Sequence, residues 1–160
     1  MNDKTKEYMI GSLTLSFKEY LYGYKRLVTV VNNPKSSKTK VRFYYTSMYK
    51  YIADYFTLNN AIVFKTLAEV GLSDLSKPIE ELVKKPLGKI SYGEFLRRFR
   101  NKSLVHEGYA SMSSHMVHVE GGQYELLGPY FLAHYDNQMY HEIEKLHKEL
   151  MKLLPKNKGY

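Results

Sequence analysis

The sequence predicts an all-α, antiparallel helical bundle of four to five helices, with a small hairpin or loop inserted before the last helix. Three observations predict it. Apolar residues recur at spacings of three and four through most of the chain. Proline, glycine and short Asn/Ser clusters interrupt that rhythm at intervals suited to short helix connections. Only residues 109 to 128 read differently, as two short runs about a glycine pair.

The first helix is expected over about 5–31. Leu13, Phe17, Tyr20, Tyr24, Leu27 and Val31 fall on one face, and Asn32-Asn33-Pro34 ends the run because proline cannot continue the ladder. A second run carries Val41, Tyr44, Met48, Tyr51, Tyr55, Ile62, Thr66 and Val70, a helix over about 39–70 that Asn59-Asn60 bends or breaks. Gly71 stands where a C-cap glycine would. Ser76-Lys77-Pro78 opens a short helix to about Lys85, which Pro86-Leu87-Gly88 closes.

Ser91-Tyr92-Gly93-Glu94 has capping-box spacing and announces a helix over 91–107 with Phe95, Leu96, Phe99, Ser103 and Leu104. Met116–Glu120 and Gln123–Leu126 flank Gly121-Gly122, a two-residue hairpin signal. A last helix over 129–154 follows, with Leu132, Met139, Ile143, Leu146, Leu150 and Leu153 inward and Pro155 ending it.

The 160 residues suit a single domain, 1–160, long enough to bury a core without staples. Cysteine is absent, which excludes disulfides and thiolate chemistry. The start, Met1–Glu7, runs into alternating charge without a signal-peptide apolar block. No apolar run approaches the ~18 residues of a membrane span. A cytoplasmic chain with no membrane contact is expected.

The net charge is +8, from 24 basic and 16 acidic residues. Between residues 84 and 102, Lys84, Lys85, Lys89, Arg97, Arg98, Arg100 and Lys102 face only Glu94. Such a patch steers polyanions, and RNA is the expected partner; a solvated helix face is the plainer alternative. No phosphate-cradling glycine loop, serine elbow or dinucleotide fingerprint is present. His115, His118 and Glu120 are too few for a zinc site and are expected on a hairpin surface. No metal and no cofactor are expected.

Within the basic segment lies Arg100-Asn101-Lys102-Ser103-Leu104-Val105-His106. This resembles the signature of the HEPN superfamily, helical-bundle domains whose RNA-cleaving members carry an arginine, four to six residues, then a histidine. The stricter form, Arg-Asn-four residues-His, is met, and the order of a late motif helix, a loop and a closing helix matches too. The resemblance implies a metal-independent endoribonuclease, a toxin or defence effector, acting as a homodimer with a composite site. It also allows an antitoxin protein as partner.

The chemistry suits those residue types. Histidine titrates near working pH, so His106 is the candidate base for the ribose 2′-hydroxyl. Arg100 is the candidate stabiliser of charge on the phosphate, and Asn101 would hold that phosphate or orient the imidazole. Lys84, Lys85, Lys89, Arg97, Arg98 and Lys102 would track the RNA backbone, with Tyr109 and Tyr92 stacking on bases. On an ideal helix Arg100 and His106 lie about 120° from eclipsed, so they converge through a loosened helix end or across a dimer. The alternatives are a helix ending in which both residues complement the dipole before Gly108, a non-catalytic module holding RNA or a nucleotide, and a structural dimeric partner. Some toxin members place a tyrosine two residues after the histidine; here Tyr109 stands three after it.

Overall fold

The computed structural model describes residues 2–37, 39–40, 43–44, 48, 60–87, 90–99, 111–113, 116–119, 122–125 and 135–155. Helix α1 spans Asp3–Asn32. The Asn2 side chain accepts from the Thr5 amide at 2.8 Å and the Thr5 hydroxyl at 2.9 Å, satisfying a donor that the first turn would otherwise leave open. Its buried face is the predicted one through Leu27. Val30 closes that face and Val31 is half-buried, so the expected last position moves by one.

Residues 39, 40, 43, 44 and 48 are helical, and α2 runs Asn60–Glu69. Whether the predicted 39–70 helix is continuous lies outside the described residues. Val63, Thr66 and Leu67 share the inward face of α2, while Ile62, expected inward, lies about 100° round from Val63 and is exposed. Met48 approaches Gly23, and Lys6 pairs with Glu69 at 3.6 Å, so this part of the chain returns antiparallel to α1. Gly71 takes φ +82°, the Leu72 amide reaches Leu67 O at 2.8 Å and the Gly71 amide reaches Ala68 O at 3.0 Å. These bonds form a Schellman ending, and a side chain at Gly71 would be strained.

Helix α3 spans Ser73–Val83, three residues earlier than the expected start. Leu72 O accepts from the Leu75 and Ser76 amides, which begins the helix before Ser76 and leaves Pro78 in its interior. Pro86–Leu87 (β1) and Ile90–Ser91 (β2) then pair antiparallel, a contact the sequence did not announce. Helix α4, Tyr92–Phe99, begins at the predicted cap: the Glu94 amide donates to Ser91 Oγ at 3.1 Å. A Cβ on Gly93 would lie 3.0 Å from Val83 O and 3.2 Å from Val83 Cβ, so only glycine lets α4 approach the end of α3 this closely.

The insertion is a three-stranded antiparallel sheet of β3 (Ser111–Ser113), β4 (Met116–Val119) and β5 (Gly122–Glu125). Val119 pairs with Gly122, so Gly122 is a strand residue and not part of the turn, and β3 adds a strand to the expected hairpin. Helix α5 spans Asn137–Leu153, preceded by a π-turn at Tyr135-Asp136. Met139, Ile143, Leu146 and Leu150 are buried as predicted. Leu154 takes extended backbone before Pro155 and is buried, whereas Leu153, expected inward, is exposed.

The fold is an all-α bundle. Helix α5 packs on α1 and α3, α3 also meets α2 and α4, and one buried cluster draws on each of α1 to α5 and on Met48. Tyr24 contacts Asn137 and Tyr140 while Lys18 acts on His147, so α1 and α5 run antiparallel. No helix among the described residues is long and apolar enough to cross a membrane.

Candidate functional site

Helix α4 carries the basic segment towards the Arg-Asn-His motif. Its inner face, Tyr92, Phe95 and Leu96, is fully buried. Arg97 lies on the outer side, where Glu94 holds it through two bonds, Nε to Oε2 at 2.9 Å and Nη2 to Oε1 at 2.5 Å. That hydrogen bond raises the guanidinium above its ordinary range. Lys84 pairs with Glu80 at 3.5 Å, largely in solvent. Lys85 is exposed, with no ionic partner among the described residues, and its carbonyl accepts from the Tyr92 amide at 2.8 Å. The described part of the basic patch is thus partly neutralised, Lys85 excepted.

Arg100, Asn101, Lys102, His106, Tyr109 and Lys89 lie outside the described residues, as does the side chain of Arg98. Tyr92, expected to stack on bases, is fully buried. Its ring stacks on Tyr135 with centroids 5.2 Å apart, and its hydroxyl donates to Asp136 Oδ1 at 2.8 Å. The reason is its position at the first turn of α4, where the inward face meets the start of α5. Of the expected metal-ligand candidates, His118 sits on β4 opposite Ser111 and Gln123, and His115 and Glu120 lie outside the described residues. Among the described residues no group of three or more His, Cys, Asp or Glu could hold a metal ion.

Sequence reasoning missed the polar centre beneath α4. Asp136 is fully buried, with Tyr92 bonded to it and Tyr20 and Tyr24 within its field. Burial first, and the Asp136 charge second, push the Tyr24 phenol up to about 12 and raise that of Tyr20 well above 10.0. Both therefore stay protonated donors at neutral pH. Tyr24 donates to Asn137 Oδ1 at 3.3 Å, and the Tyr20 hydroxyl has no hydrogen-bond partner among the described residues. Tyr135 completes the arrangement by donating to the carbonyl of Pro86. The group holds α4, β1 and the start of α5 together. An aspartate just before a periodic run normally announces an N-cap, but Asp136 makes no side-chain capping bond, so that signal would have misled.

No protein-family model matches the chain, and neither the curated proteins nor the solved structures contain a match to it.

Proposed function

We propose that this chain is a metal-independent endoribonuclease of the HEPN type, a toxin or defence effector that works as a homodimer. The observation that carries the reading is the spacing Arg100-Asn101-four residues-His106. Two features support it: the all-α bundle, and the attachment of the motif directly after α4, whose Tyr92, Phe95 and Leu96 are locked in the core. A site that must hold a phosphate benefits from rising off an anchored helix.

In this reading His106 removes the proton of a ribose 2′-hydroxyl. The 2′-oxygen attacks the adjacent phosphorus, the bond from phosphorus to the 5′-oxygen breaks, and that oxygen leaves taking a proton from solvent water. Arg100 bonds to the phosphate oxygens as their charge grows, and Asn101 orients the phosphate or the imidazole. Lys85, Lys89, Arg98 and Lys102 attract the backbone, and an antitoxin partner would restrain the activity. A homodimer with the motif helices about the two-fold would bring two motifs to one cleft.

The second reading, a non-catalytic module or structural dimeric partner of the same fold, is favoured by the engagement of Arg97 with Glu94. Incubating the pure chain with single-stranded RNA in EDTA separates the two. Fragments ending in 2′,3′-cyclic phosphate support the nuclease; binding without cutting supports the module.

A further inference from the structure

Helix α1 is 30 residues long and buries one face, but its opposite side carries Tyr8, Leu15 and Tyr22, which are 78%, 51% and 63% exposed. The three are spaced by seven, about two helical turns, so they form one stripe about 21 Å long. Single exposed apolar residues need no explanation, but a regular row of three large ones on one helix does. Around the row stand the exposed cations Lys4, Lys18, Lys25 and Arg26, without a carboxylate partner among the described residues. Glu7 and Glu19 are the acids on this side.

We propose that this outer face of α1 docks an acidic amphipathic helix of a partner protein. A period of seven is what a second helix presents when it lies nearly parallel or antiparallel to the first, with apolar residues meeting the row and flanking charges meeting its edges. The charge selects the partner. A second copy laid antiparallel about Leu15 brings Lys4 against Arg26 twice, and one laid parallel stacks each lysine on its own mate. Like charges so placed are unfavourable, more so between chains of net charge +8. RNA is disfavoured because Leu15, at the centre of the row, offers no flat ring for a base to stack on. Aspartate or glutamate beside a leucine stripe satisfies both features of the face. This docking stands whether or not the chain cuts RNA.

The test uses the full chain and a fluorescein-labelled synthetic helix with leucine at the heptad a and d positions and glutamate at e and g. Anisotropy is expected to give saturable binding in the micromolar range, weakening with salt. Leu15→Glu is expected to weaken it by about tenfold or more, as loss of a central anchor does. The double variant Lys18→Glu/Lys25→Glu, which leaves the stripe intact, is expected to weaken it too. Because these side chains are exposed, circular dichroism should report an unchanged fold. Equal binding of a lysine-flanked version of the helix, no saturable binding, or unaltered binding by Leu15→Glu overturns the proposal. So does self-association of the wild type that Leu15→Glu abolishes, which assigns the face to a second copy. Displacement of the helix by polyuridylate, with RNA affinity lost in Leu15→Glu, assigns it to RNA.

Discussion

The hydroxyl of Tyr92 donates to Asp136 Oδ1 at 2.8 Å, joining the first residue of α4 to the residue before α5 in the fully buried interior. The two are 44 positions apart in sequence, so this bond fixes the helix that leads into the motif against the helix that closes the bundle. Tyr92→Phe keeps the ring stacked on Tyr135 and removes only the donor. It is expected to cost about 1–3 kcal/mol, because a buried carboxylate loses one of its bonds. Thermal unfolding should show this as a fall of about 2–4 °C per kcal/mol.

The approach of α4 to α3 rests on the missing side chain of Gly93. Gly93→Ala places a methyl 3.0 Å from Val83 O, a backbone atom that cannot turn aside. Despite the better helix propensity of alanine, the variant is expected to lose stability, by about 1–3 kcal/mol as overpacking does. Urea titration checks it, and a gain would show that the two helices separate without cost.

His147 gives the fold a pH dependence. Its imidazole is held below 6.5, first by burial and second by the charge of Lys18, and its Nε2 has no hydrogen-bond partner among the described residues. The unfolded chain therefore takes up this proton at higher pH than the folded one. Stability from this group is fully present above 6.5 and is lost as pH falls through the depressed folded value. His147→Gln should flatten the loss of melting temperature between pH 7 and pH 5.

The helices were legible where burial and period coincide. Leu13, Phe17, Tyr20, Tyr24 and Leu27 could be read because one face of α1 is continuously inward. Ile62 and Leu153 were misplaced because each lies at the margin of its helix's inward face, where spacings of three and four do not separate buried from exposed positions. Ser91 announced its cap by local chemistry. Tyr92 and Asp136 could not be paired in advance, since nothing local records a contact made across 44 residues. The charge of the 84–102 segment was legible, but the ion pairs that mask Arg97 and Lys84 depend on side-chain geometry.

Those ion pairs order the basic residues. Arg97 already has two bonds to Glu94, whereas Lys85 is exposed without an acid partner among the described residues. Lys85→Ala is expected to weaken RNA binding more than Arg97→Ala does, and to reduce the slope of log affinity against log salt by about one phosphate contact. Filter binding over a salt series measures both.

In the proposed reaction Arg100 and His106 cut RNA without a metal. The most direct measurement is the rate of cleavage of single-stranded RNA in EDTA by the wild type, His106→Ala and Arg100→Ala. Cutting by the wild type to 2′,3′-cyclic phosphate ends is expected, with a fall of at least ~10²-fold in each variant and with melting temperature and RNA affinity largely retained. A requirement for Mg²⁺, or cutting undiminished in both variants, would contradict it.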